Sequence, residues 1–360
     1  MSKLLRLTTI VALVLSMTFQ VTAQTSAENA LIAKAKGIHD HVIKLDTHND
    51  IDPRNFAAIV FLLGVLGAGG LYFARRNLRL GRGDRRGATR LMLVVLGAQA
   101  AAWIVAGHHV VAVGSGLSAF GGLALTMAGL LWVFYIAAEP FVRRRWPRML
   151  VSWTRLLSGD WRDPLVGRDV LIGCAAGVSV DCLTRFGRLA SSWFGYPEAS
   201  AIPTNWTAFA GIGSFIGELL GQSSIAVLAG LGLLLFLFLL RVVLRHDWVA
   251  GAALILFLDM GPIRGSVGHL SGVAFWIGTP LGLMCGGLAL FALMRGGLVA
   301  MTLTWGVIQI LNGSQITLRT SAWYAGIGYA AIGIVVAISV YGFLVSLGGR
   351  PLLATTGIDD

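Results

Sequence analysis

After Lys44 the sequence contains no lysine, although arginine occurs twenty-two times after Arg54. Charge as a whole is scarce: 12% of the 360 residues are Asp, Glu, Lys or Arg, against about a quarter in soluble domains. With 56% hydrophobic residues and a mean hydropathy of +0.76, a soluble globular chain is excluded and a polytopic membrane protein is expected. The three cysteines, Cys174, Cys182 and Cys285, lie in or beside apolar runs and form no CxxC. Neither a disulfide framework nor a zinc knuckle follows from them. The formal charge of +11 is spread over short loops beside apolar segments, without a continuous basic domain. That distribution excludes nucleic acid as the partner and fits retention of arginine on one side of a bilayer.

What is present begins with a signal. Lys3 and Arg6 precede an apolar core from Leu7 to Phe19, and Val21-Thr22-Ala23 supplies small residues before Gln24. Residues 1–23 therefore read as a cleavable secretory signal peptide. A short polar, extracytoplasmic segment follows, 24–55, and residues 56–353 form a multi-span membrane domain with a tail at 354–360. The apolar runs are Phe56–Ala74, Leu91–Val113, Leu117–Ala138, Val170–Leu183, Ser214–Leu240, Leu270–Met294, Leu298–Leu311 and Trp323–Leu347. Trp248–Met260 is too short for a ~30 Å core, which takes about 20 residues. The expected fold class is all-α, a polytopic helix bundle of about eight spans. Its location is the bacterial cytoplasmic membrane, with the processed N-terminus outside and the C-terminus inside.

Arginine asymmetry carries that topology. Eighteen of the arginines after Arg54 fall in loops on the expected inner side and four, Arg185, Arg188, Arg264 and Arg319, on the outer. The densest island is EPFVRRRWPRMLVSWTRLLSGDWRDPLVGRD, residues 139–169, read as a loop lying on the membrane surface. Arg143, Arg144, Arg145, Arg148, Trp153 and Arg155 are its candidate surface for anionic headgroups or a partner, because guanidinium and indole groups suit the headgroup layer. Within the spans, Asp181, Glu218, Asp259 and His269 are costly to bury and are the polar candidates, with Gln99 and Gln309 as uncharged companions. Asp259 and Arg264 can pair at a broken helix end, and the boundary pair His108-His109 reads as exposed. Glycine pairs such as Gly64/Gly67, Gly211/Gly213, Gly282/Gly286 and Gly326/Gly328 read as helix packing.

Two resemblances divide the chain. AKGIHDHVIKLDTHNDIDPRNF, residues 35–56, resembles the start of bacterial membrane (renal) dipeptidases. In that family an HxD element supplies two zinc ligands, which implies His48 and Asp50 as metal residues. The bridging glutamate and later histidines that the family needs have no counterpart here, so the segment implies an inactive dipeptidase fragment and no bound zinc. ARRNLRLGRGDRRGA (74–88), the island continued to Gly173, and LGGRPLL (347–353) resemble the C-terminal membrane region of a group of bacterial serine/threonine protein kinases. The VAIK lysine, HRD and DFG elements of a kinase domain are not found in this sequence. Together with the break in lysine usage, the two resemblances imply a fusion near Asp52-Pro53-Arg54-Asn55.

The function expected is a non-catalytic sensor or anchor module, with no enzymatic site and no cofactor. Its partners are the bilayer and its anionic headgroups, and a cytoplasmic kinase domain or a second copy of the chain. The alternative is a transporter or membrane enzyme for a small molecule or lipid, working through Glu218, Asp259 and His269.

Overall fold

The computed structural model describes residues 53–106, 113–193, 207–259 and 273–349. The signal peptide, His48 and Asp50, His108-His109, Arg264, His269 and the C-terminal tail lie outside the described residues. Nine α-helices are present among them and no strand: α1 Pro53–Arg79, α2 Arg85–Ala106, α3 Val113–Arg145, α4 Arg148–Ser158, α5 Pro164–Ser192, α6 Ile212–Leu244, α7 Asp247–Leu258, α8 Val273–Asn312 and α9 Ala325–Ser346. A 3₁₀ turn at Thr207–Ala210 precedes α6. Among the described residues six helices are long and apolar enough to cross a membrane: α2, α6, α9 and the greater parts of α3, α5 and α8. The protein is a polytopic helical membrane bundle.

Local chemistry starts and stops these helices. The Asp84 carboxylate accepts from the Gly87 backbone N–H at 2.9 Å, capping the first turn of α2. Gly159 ends α4 with φ 95°, its N–H reaching the carbonyls of Arg155 and Leu156. Proline at position 140 lacks the N–H that would satisfy the Ile136 carbonyl four residues earlier in α3. Asn77 of α1, 2% exposed, supplies the missing donor: its Nδ2 donates to Ile136 O at 2.9 Å and to Ala137 O at 3.1 Å. One side chain thereby repairs α3 and joins two helices. Phe73, Phe141 and Phe238 close the same corner, with ring centroids 4.5 to 5.3 Å apart.

Helix α8 is two helices. At Gly297 the backbone takes φ 64°, ψ −153°, a region open in practice only to glycine. Residues on both sides of that turn, Gly282 and Cys285 before it and Thr304 and Ile308 after it, line one cavity. A straight helix would hold positions 282 and 308 about 39 Å apart, so the chain reverses at Gly297. The expected division into Leu270–Met294 and Leu298–Leu311 corresponds to the two arms. The returning arm packs along α5, where a Cβ on Gly173 would lie 2.6 Å from the Ala300 carbonyl and one on Gly177 2.9 Å from the Thr304 carbonyl. Such close approach is how helices associate without a hydrophobic drive separating protein from lipid.

One expectation changes. The island 139–169 is not a loop: it comprises the end of α3, all of α4 and the start of α5. Met149, Leu150 and Trp153 are buried on one face of α4 while Arg148 is exposed, and this amphipathic spacing suits a short helix lying across the bundle end. Helices α1 and α9 both finish at the arginine-bearing end, as shown by Asn77 on Ile136 and by Gly348 beside Pro164. Helix α6 and the first arm of α8 also run towards that end, where Arg241 meets Asp247 and the Gly297 turn meets Met149.

Candidate functional site

Three stretches distant in sequence meet at the arginine end. Residues 74–88 join α3 through Asn77, the Arg90 guanidinium reaches the Leu157 carbonyl at 3.5 Å, the Tyr341 hydroxyl donates to the Trp161 carbonyl, and Gly348 packs on Pro164. Helix α4 sits at the centre of this assembly. It touches α2, α3, α5 and α8, and the Met149 backbone lies directly against the Gly297 turn.

Most of the candidate arginines are already engaged within the chain. Arg143 Nε meets the buried Glu139 carboxylate at 2.7 Å, and Arg145 Nη2 meets Asp247 at 2.9 Å. Arg241 completes a triad on Asp247, and Arg155 pairs with Asp163. Arg168, outside the expected set, bonds Asp169 through Nε at 3.0 Å and Nη2 at 2.8 Å. Asp169 is 2% exposed and faces Gly296, next to the turn of α8. Partial desolvation raises the Asp247 carboxyl, but hydrogen bonds from Arg241 and Arg145 outweigh it and hold the group below the usual carboxylate range.

Of the six residues expected to form the outward surface, Arg144 and Arg148 are exposed and make no ion pair among the described residues. Trp153 is corrected: it is 3% exposed and belongs to the hydrophobic core with Met149 and Leu150. An indole on the inward face of an amphipathic helix is packing, and Trp161, 63% exposed, is the ring that faces out.

The polar candidates in the spans separate into three places. Asp181 pairs with Arg185 one turn later at 2.7 Å, and Arg185 also donates to the Leu311 carbonyl at 2.9 Å, tying α5 to the end of α8. Gln222 donates to Glu218 at 2.6 Å and Gln309 donates to Gln222 at 2.9 Å, a relay between α6 and α8. Asp259 stands apart at the C-terminal end of α7. It is 1% exposed, and neither carboxylate oxygen has a hydrogen-bond partner among the described residues. Glu218 lies roughly 22 Å along α6 from Leu233, which faces the Leu258 region across a cavity, so the two carboxylates do not share a site. Gln99, the other uncharged companion, is half-buried on α2.

That cavity has a volume of about 440 Å³ and lies between α5, α6, α7 and both arms of α8. Its lining is largely aliphatic, with Thr184, Cys285, Thr304 and Trp305 the polar exceptions. Thr304 is satisfied by the Ala300 carbonyl at 2.8 Å, whereas the Trp305 Nε1–H is buried without a partner among the described residues. No group of three or more His, Cys, Asp or Glu suited to a metal occurs among the described residues.

Sequence reasoning misses Asn77, Asp169 and Asp247 as organising groups. Asn77 is signalled by Pro140, whose missing N–H implies a donor from elsewhere; Asp169 and Asp247 have no such local sign, since their partners are set by tertiary packing. Comparison with family models, with curated proteins and with solved structures finds no match.

Proposed function

We propose that this protein is a non-catalytic integral membrane sensor or anchor, of the kind formed by the membrane half of a bacterial serine/threonine kinase. In this reading it resides in the bacterial cytoplasmic membrane with its arginine end in the cytoplasm and its processed N-terminus outside. The observation that carries the reading is the convergence of the three stretches bearing the kinase-type resemblance, 74–88, 139–173 and 347–353, on one face around α4. A topology signal needs only positive charge. Here Arg143, Arg145, Arg155 and Arg168 are each ordered by a carboxylate, and the exposed pair Arg144 and Arg148 flanks Trp146, an arrangement suited to recognition of a partner or of lipid phosphates.

Mechanically, α8 connects the two ends. Its second arm lines the cavity at Met301, Thr304, Trp305 and Ile308, and its turn at Gly297 bears on the Met149 backbone of α4. Occupation of the cavity would act on α4 through a packed helix, the kind of element able to bias a surface. The test has two parts. Reporter fusions after Gly83 and Asp160 are expected on the cytoplasmic side and one after Tyr196 on the opposite side; the first two on different sides would end the reading. In membranes, exchanging Arg144 and Arg148 for alanine is expected to reduce crosslinking to a separately expressed kinase domain of the resembled group, and unchanged crosslinking with normal insertion would leave only an anchor.

A further inference from the structure

We propose that Asp259 and the adjoining cavity form a binding site for an amphiphilic ammonium compound, its cationic head at the carboxylate and its apolar body among the aliphatic side chains. The proposal stands apart from the sensor reading and requires no partner protein. Helix α7 runs twelve residues from Asp247 and stops at Asp259, about 18 Å along its axis. That axial length is more than half of a ~30 Å hydrocarbon core. The end of a helix is the negative end of its dipole, and the Asp259 side chain adds a second acceptor there. The backbone N–H of Asp259 is used, donating to the Ile255 carbonyl at 3.0 Å, but both side-chain oxygens are buried without a partner among the described residues.

Neither protonation state is satisfied by the described residues. An ionised carboxylate buried there lacks a counter-charge among them, and a neutral acid leaves an O–H and a C=O unmatched. The adjoining residue Leu258 lines the cavity, and Ile255 of α7 packs on Gly286, which lines it as well. The rest of the wall includes Leu183, Leu233, Leu281, Met301 and Ile308. A bare metal cation needs several oxygen ligands, and this lining offers only two side-chain hydroxyls, Thr184 and Thr304, each donating to a carbonyl of its own helix. The combination of one unpaired carboxylate with a large aliphatic wall selects a ligand with one positive group and a hydrocarbon body. A neutral lipid would fill the cavity and leave Asp259 unpaired.

The test uses the full chain in phosphatidylcholine nanodiscs, with empty discs as the blank, and compares octylammonium chloride, octanol and sodium chloride as thermal stabilisers. Octylammonium is expected to raise the melting temperature at a concentration at least tenfold below that needed with octanol, and Asp259→Asn is expected to abolish this preference while octanol still stabilises. Equal effects of the two compounds on the wild type would overturn the proposal, as would an undiminished preference in Asp259→Asn. A shift produced by sodium chloride alone and lost in Asp259→Asn would overturn it too, assigning the carboxylate to an inorganic cation instead. If Asp259→Asn does not fold, Ala289→Phe, which fills the cavity with the carboxylate intact, is expected to remove octylammonium stabilisation; its persistence in that variant would refute the site.

Discussion

Replacing Gly297 with alanine strikes the one point where the turn of α8 and the backbone of α4 meet. Two costs combine. The φ 64°, ψ −153° conformation costs a residue with a Cβ about 1–3 kcal/mol. The added methyl would also overlap the Met149 carbonyl oxygen and lie 2.7 Å from its carbon and 2.8 Å from its Cα. Those are backbone atoms, which no rotamer change removes, so α4 must shift at a further cost of about 1–3 kcal/mol. The expected loss is therefore about 2–6 kcal/mol. Gly287→Ala is the control, since that position lies in helical backbone with nothing within 4 Å of an added methyl, and removing a mid-helix glycine gains about 0.5–1 kcal/mol. Reversible unfolding by dodecyl sulfate in mixed micelles measures both. A spin-label distance between positions 157 and 295 reports α4 separately and is expected to lengthen or broaden only in Gly297→Ala. Equal stability of the two variants would refute the reversal at Gly297 and, with it, the coupling of the cavity to α4.

Asn77→Leu leaves the Ile136 carbonyl without its donor and is expected to cost about 1–3 kcal/mol; the double variant with Pro140→Ala restores the intrahelical bond, so unfolding free energies should recover in part. Trp153→Ala is expected to cost about 3–5 kcal/mol, whereas Trp161→Ala should stay within about 0.5 kcal/mol by the same unfolding assay. Asp247→Asn removes the triad with Arg145 and Arg241; because Asp247 is 44% exposed, screening limits the loss to about 1 kcal/mol or less. Its carboxyl is held low, so this increment is present above the ordinary aspartate range and disappears as pH falls through the depressed pKa; the stability gap between wild type and Asp247→Asn should close on acidification. Purified protein with excess zinc is expected to hydrolyse a dipeptide no faster than His48→Ala, because two ligands do not make a binuclear centre.

The legible part of this protein is what a bilayer imposes. Hydrocarbon demands long apolar helices, and the runs Ser214–Leu240 and Trp323–Leu347 match α6 and α9 to within about four residues, while Leu91–Val113 overlaps the larger part of α2. The break between Met294 and Leu298 is also readable, from Arg295 and the paired glycines at 296 and 297. Other features depend on which helix meets which, and no local pattern encodes that. The company of arginines around Trp153 points outward, yet the face of a short helix is decided by spacing: positions 149, 150 and 153 form one stripe of α4, and 148 and 155 lie together on another face. Seven arginines in the island look equivalent in sequence, but their carboxylate partners, Glu139, Asp163, Asp169 and Asp247, lie on four different helices or turns. The intramembrane carboxylates show the same limit. Asp181 carries its arginine one turn away and is decipherable as an ion pair, whereas Glu218 and Asp259 look alike in sequence and differ in fate. Glu218 meets a glutamine of its own helix, which a glutamine of α8 bonds in turn. Asp259 caps α7 beside an apolar cavity, buried and with no hydrogen-bond partner for its carboxylate among the described residues, and that mismatch is the physical reason to look for a ligand there.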